Sequence, residues 1–520
     1  MQNRLWSAAA LGCVIVLVIG TGASRLGQIA LAQEAGGGQG RGGGAGRGGG
    51  APQGVPLLPD ERELAMKVKG SFTFAGIGDL IIRTPFTQLA DPAFQGLAKP
   101  LRDADVTFAN MEGALVDLDT FPYGVFDAAP KSALVDIKNL GVDMMSTANN
   151  HTFDADVPGL LETIRLLNEN GIVYAGSGRN LQEARAAHFL NSPKGVIGLV
   201  STFSVDPTSG PSPASTSGAT YRVGSTGGRA GLNPLRVNPV YTVTQEQIDS
   251  LRQLRDSVLA RRAEVFAPVP AASANEPKDR LTLFGQRYVV GAKPGDTHWD
   301  MNAGDLREIL RSIKNAKQSS DFVIATIHCH QGNYAFQTYT YDNDTPDFLV
   351  EFAHRAIDAG ADVFIGHGVH TIRGVEIYKG KPIFYGTNTF VYQYTSSLPQ
   401  NPGGPLTEAE QDMAPGGAAA ERTGVKERME SLLTESRYQD GRLVEVRIHP
   451  VDLGQEGSRP LSRLGIPMVP SSAMSQRVLE KLQRLSKPFG TTIAIENGVG
   501  VIRVSAEQAR PASVTARDVK

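Results

Sequence analysis

The sequence predicts an α/β fold, and three observations carry that prediction. Short apolar runs alternate with amphipathic helical stretches between residues 71 and 202, and the alternation resumes between 305 and 385. Several of those runs end directly on a carboxylate, amide or imidazole side chain. Hydrophobic residues make up 41% of the 520, enough for a sizeable core in one large domain with insertions.

The chain opens on an export signal. Arg4 supplies a short positive region, Ala8 to Ile19 is apolar, and Ala30-Leu-Ala32 places small residues at the cleavage spacing. The apolar stretch is about twelve residues, against the roughly 20 of a spanning helix, so cleavage is the reading and an uncleaved anchor the alternative. The protein is therefore expected outside the cytoplasm, in the periplasm or at the cell surface, or tethered to the membrane by the uncleaved segment. Residues 33–69 form a flexible linker, glycine-rich over 35–54. Arg41 and Arg47 are too few for a nucleic-acid tail, and a net charge of -2 gives no field that would recruit nucleic acid. Cys13 and Cys329 are the only cysteines, which excludes a disulfide framework and a Cys-rich zinc site.

Elements then follow in order. Residues 71–78 read as a strand running into Asp79, and 106–110 as a second strand ending near Glu112. Residues 134–140 are helical, and 141–147 form a strand ending at Asn149-Asn-His151. The periodicity of 157–170 predicts a helix closed by Gly171, and 173–176 and 196–202 are further strands. From about 206 to 295 the pattern breaks down into a Ser/Gly/Pro-rich stretch and one polar helix over about 245–263, read as an insertion. Helix 305–317, strand 321–327, helix 346–360 and strands 362–365 and 382–385 restore the alternation. A domain over 70–400 results, followed by a loop (401–424), a C-terminal part of the same domain (425–505) and a tail (506–520). Within that C-terminal part, 442–449 alternates like a half-buried strand and 473–485 reads as a helix.

The strand ends collect one kind of chemistry. Asp79, Glu112, Asn149, Asn150, His151, His328, His330, His367 and His370 all follow apolar runs. In a strand-rich α/β fold such ends converge on one edge of the sheet. Carboxylate, amide oxygen and imidazole together suit divalent zinc, manganese, iron or magnesium, and the set is large enough for two ions. Singly, each residue has a structural alternative: Asp79 as a turn former, Glu112 as a helix cap, the asparagines as loop amides, His328 as a core histidine. His188, His298, His354 and His449 lack this context and read as structural.

Gly78-Asp79, Asn110-Met-Glu112, Ala148-Asn-Asn-His151, Gly366-His-Gly-Val-His370 and the block from Gly374 to Tyr385 resemble the CapA capsule-synthesis family. That family is associated with poly-γ-glutamate capsule production and related to calcineurin-like metallophosphoesterases. The resemblance spans roughly 70–205 and 295–395. It implies a four-layered αββα sandwich with two divalent ions. Asp79, Glu112, Asn150, His328, His367 and His370 stand at ligand positions, with Asn149 and His330 as alternative ligands. His151 is then the acid or electrostatic stabiliser, and Arg83 and Arg373 are either grips for a phosphate or carboxylate or plain surface residues. Where relatives carry His-Trp-Gly this chain has His328-Cys-His330, so either histidine could serve as the ligand.

Two functions follow as expectations. One is an exported metal-dependent hydrolase or transferase of phosphoesterase type, acting on a phosphoester or an anionic envelope polymer. The other is a non-catalytic assembly or export component that binds the anionic polymer, with membrane-bound capsule synthesis proteins as partners.

Overall fold

A computed structural model describes residues 64–121, 128–206, 228–265, 276–333, 343–393, 428–456 and 459–504. The expected export segment, residues 33–63 of the linker, the 401–424 loop and the 506–520 tail lie outside the described residues. Among the described residues no helix is long and apolar enough to cross a membrane.

Two large sheets form the centre. In the first, Val173–Ala175, Met144–Ser146, Val106–Met111 and Ser71–Ile81 run parallel, and Glu430–Gln439 joins Ser71–Ile81 in antiparallel fashion. The second is built on the parallel strands Gly195–Val205, Phe322–His328, Val363–His367 and Lys381–Phe384. These central strands are buried on both faces, which explains why they read as near-continuous apolar runs rather than alternating ones.

The sheets face each other across one apolar layer. Phe72, Phe74, Val106, Phe108 and Met144 of the first meet Ile197, Leu199, Phe322, Ile324 and Ile365 of the second. Within it the Phe72 and Phe322 rings lie 5.1 Å apart. Helices cover both outer faces. Pro92–Asp103, Ala133–Asn139 and Asp156–Glu169 pack on the first sheet, and Ala303–Ser319 and Asp347–Asp358 on the second. The order helix, sheet, sheet, helix is the four-layered αββα sandwich. Sequence places the helices locally: Asn302 accepts from the Asp305 N–H, and Leu306, Ile309 and Ile313 turn one stripe inward.

Of the differences from the sequence expectation, two are the largest. Residues 228–290, read as irregular apart from one helix, add Pro234–Val243, Arg280–Leu283 and Gln286–Val290 to the second sheet. Pro234 and Pro239 hid the first of these, because proline cannot donate to a ladder and demotes a run that reads as a strand. The helix between them extends over Gln245–Val265. The second region is the hairpin Glu430–Gln439/Arg442–Asp452, of which only the later strand was expected. Asp440 and Gly441 form its two-residue turn, both with positive φ (49° and 73°), as a right-twisted hairpin requires.

Candidate metal centre

The C-terminal ends of the parallel strands of both sheets meet at one place. Asp79 lies near the end of Ser71–Ile81, at a register irregularity, and Asn110 lies opposite it on the next strand. Gly78 makes the approach possible: a Cβ there would sit 1.7 Å from the Asn388 carbonyl oxygen. Asp79 Oδ1 accepts from Asn110 Nδ2 at 2.8 Å, and Oδ2 accepts from the Gly368 N–H at 3.1 Å. The carboxylate is thus fixed from both sheets.

The imidazoles come from the second sheet. His328 and His367 occupy the same register position on neighbouring parallel strands, and their Nδ1 atoms are 3.0 Å apart. Thr326 Oγ1 lies 2.8 Å from His367 Nε2 and sets that ring's rotation. His330 Nε2 is 3.0 Å from His328 Nε2 and 3.2 Å from Asn150 Oδ1. His370 adopts a left-handed backbone (φ 55°), uncommon for a residue with a Cβ and a mark of functional sites. That turn brings its Nδ1 to 2.7 Å from Thr389 Oγ1 and its Nε2 to 3.5 Å from Glu112 Oε1.

Three overlapping sets of potential ligand atoms result: Asp79, His328 and His367; Glu112, His328 and His330; Asp79, Glu112 and His370. Asp79 Oδ1 is 3.2 Å from His367 Nδ1 and 3.7 Å from His328 Nδ1, and Glu112 Oε1 is 3.8 Å from His328 Nε2. Atoms bound to one ion at about 2.0–2.2 Å stand roughly 3–3.6 Å from one another; the 3.2 Å separation lies within that range, and those of 3.7 and 3.8 Å lie just above it. Because the sets share residues, they describe one cluster. His328 turns a nitrogen toward each of the first two, but a neutral imidazole has a single lone pair to offer.

Electrostatics agree with neutral, ligand-ready rings. Burial, reinforced by the neighbouring imidazoles, drives the His328 and His330 pKa values well below the ordinary histidine range. Burial likewise pushes His370 down to about 4, against the opposing pull of Asp79. For Asp79, burial opposes ionisation, yet the hydrogen bond and charge of His367, the charge of His370 and the Asn110 amide outweigh it and hold the carboxyl below its usual value.

The remaining predicted residues separate by place. Asn150 faces His330, whereas Asn149 holds its own loop, donating to the Met111 carbonyl at 2.6 Å and to Asn110 Oδ1 at 3.2 Å. His151 is half-buried beside the cluster, and a charge on it depresses the pKa of His328, His330 and His370. Its Nδ1 sits 2.6 Å from Asp154 Oδ2. Arg83 lies at the end of the first strand, where its N–H donates to Gln393 Oε1 at 2.7 Å. Arg373 is 1% exposed and donates through Nη2 to the Gln331 carbonyl at 2.7 Å. Sequence reading quoted Asn110 only as part of a motif and passed over Asp154, Thr326 and Thr389. Asp154 carried a usable signal, a carboxylate three residues after the histidine.

Residues 73–394 match the family described as bacterial capsule synthesis protein PGA_cap. The uncharacterized protein y4sH of Sinorhizobium fredii is 34% identical over 464 residues, 85% of this chain and 95% of its own length. The capsule biosynthesis protein CapA of Bacillus anthracis is 21% identical over 62% of this chain and 59% of its own. The PGA biosynthesis protein CapA of Bacillus subtilis is 34% identical over 17% of this chain and 21% of its own. A Staphylococcus aureus structure named for a 5'-nucleotidase aligns over 81% of this chain and 58% of that one, at 11% identity and TM-score 0.34, too distant to bear on function. With that family match over the whole of the first sheet's parallel core and the strand ends that build the cluster, the chain belongs to the bacterial capsule synthesis protein PGA_cap family.

Proposed function

We propose that this protein is an exported, metal-dependent hydrolase or transferase of phosphoesterase type that works on an anionic polymer or phosphoester in capsule or cell-envelope biosynthesis. Its place is the periplasm or the cell surface, alongside membrane-bound capsule synthesis proteins. One observation carries the reading: ligand-type atoms from Asp79, Glu112, His328, His330, His367 and His370 gather into one buried cluster.

Asp79, Glu112, Asn150, His328, His367 and His370 would hold two divalent ions of manganese, zinc, iron or magnesium, with His330 able to take the place of His328. Divalent ions there supply Lewis acidity and make water a competent nucleophile near neutral pH. Around them the protein's own groups have separate tasks. Asp154 holds the proton on His151 Nδ1, so that Nε2, protonated in the imidazolium form, is the atom that gives its proton to a leaving oxygen or meets its developing charge. Asn110 and the Gly368 N–H hold Asp79 in one orientation. Thr326 and Thr389 do the same for His367 and His370.

Metal analysis of the purified protein, then assays on a chromogenic phosphodiester and on γ-polyglutamate, test the proposal. Co-purifying or tightly binding divalent metal with turnover of either substrate is expected. Polymer binding with no turnover would replace catalysis by an assembly role, and no metal binding would end the hydrolase reading.

A further inference from the structure

The His328–Gln331 ribbon also meets a second group of buried polar side chains that the chemistry above does not use. Ser204 Oγ, with one proton to give, faces two acceptors, Gln331 Oε1 and, at 3.1 Å, the His328 carbonyl. Gln331 Nε2 donates to Asp206 Oδ2 at 2.5 Å. Arg373 Nη2 donates to the Gln331 carbonyl at 2.7 Å, and its Nη1 lies 3.9 Å from Cys329 Sγ. All are buried, Ser204 at 0%, Asp206 at 2%, Gln331 at 3% and Arg373 at 1% exposure.

Burying a carboxylate, an amide and a guanidinium is unfavourable unless they are hydrogen-bonded, and a satisfied network makes its surroundings rigid. Here the network grips the ribbon at the carbonyls of His328 and Gln331, on either side of His330. The Cys329 N–H, donating to the His367 carbonyl at 2.8 Å, ties the same ribbon to the neighbouring strand end. Two imidazoles project from one short, clamped segment.

We infer that Arg373, Gln331 and Ser204 are positioning residues for the metal centre: they lock the 328–331 ribbon so that His328 and His330 stay aimed at the cluster. The inference rests on the reading of the cluster as a metal site. It gives Arg373 a role behind the ligands in place of the anion grip expected from sequence. Outer partners of this kind set metal affinity by about 10–100-fold.

Calorimetric titration of the full chain with Zn2+ alone, for wild type and for Arg373→Met, Arg373→Lys and Ser204→Ala, decides the matter, with metal-free melting temperatures measured alongside. Arg373→Met is expected to weaken zinc binding at least about 10-fold. Arg373→Lys keeps one donor and falls between it and wild type. Ser204→Ala weakens binding by a smaller factor, measured at a temperature where its metal-free melting curve shows the chain fully folded. Should Arg373→Met fail to fold, the lysine and alanine variants decide alone. Folded variants that bind zinc as tightly as wild type overturn the inference. Wild-type protein that binds no divalent ion overturns the metal-centre reading and this inference with it, a distinguishable outcome.

Discussion

His328 and His367 stand at one register position on adjacent parallel strands, and their Nδ1 atoms approach to 3.0 Å within reach of the Asp79 carboxylate. Parallel pairing makes side chains at matched positions neighbours, so the approach of the two rings follows from the sheet itself. A cation between them would meet ligand atoms that are already in place.

His367→Ala should therefore abolish tight metal binding. The loss should exceed the roughly 10–100-fold that removal of an outer partner causes. Metal content after dialysis, by elemental analysis, reads this out. A variant that retains wild-type metal would remove His367 from the centre.

Asp154→Asn keeps the size of the partner of His151 but removes its charge and its certainty as an acceptor. If His151 exchanges a proton with the leaving oxygen, kcat should fall about 100-fold or more while KM changes little. Steady-state kinetics on the best substrate, across pH, separates this from a folding defect. Equal loss in a His151→Ala background, with no further effect from Asp154→Asn, would show that the two act as one unit.

The metal-free protein should lose stability on acidification. His370 has a folded pKa of about 4 against an ordinary 6.5, and His328 and His330 are also lowered. Below pH 6.5 the unfolded chain thus binds more protons than the folded one. Stability from these rings is complete above about 6.5 and is lost as pH falls toward 4. Asp79, lowered as well, adds a further loss only at lower pH, as its own carboxyl protonates. Melting temperatures of chelator-treated protein between pH 7 and 4 test this; a flat profile across that window contradicts it.

Gly78→Ala should be severe although it adds one methyl group. The Asn388 carbonyl oxygen stands 1.7 Å from the added atom, so the 387–389 turn or the strand must move. A cost of about 3 kcal/mol or more is expected from such overpacking. Urea unfolding measures it, and a wild-type midpoint would mean that the turn yields freely.

Much of this was legible in the sequence because the central strands are buried on both faces. Val106–Met111, Phe322–His328 and Val363–His367 have no solvent face to break their apolar runs, so each strand end, and the ligand-type residue on it, stood out. Glu430–Gln439 was harder to see: its residues are polar by composition yet mostly buried against Ser71–Ile81. The Asp440-Gly441 turn was the available signal, the strongest short-range mark of a hairpin. Within the site, residue type singled out Asp79, Glu112 and the histidines that the fold gathers into one cluster. It could not separate Asn149 from Asn150, since their division of labour depends on which amide meets the Met111 carbonyl and which meets His330.

The bond from the Gly368 N–H to Asp79 joins positions 289 residues apart, and Asn110 approaches His328 across 218. No segment of the chain holds the centre alone: carboxylates arrive early in synthesis and imidazoles late. Contacts over such separations predict slow docking of the two sheets. A chain that stops short of residue 363 would carry Asp79 and Glu112 without the His367 and His370 they meet. A cation held there would meet its full ligand set only once both stretches had folded, and would clasp the segment that carries Asp79 to the one that carries His370.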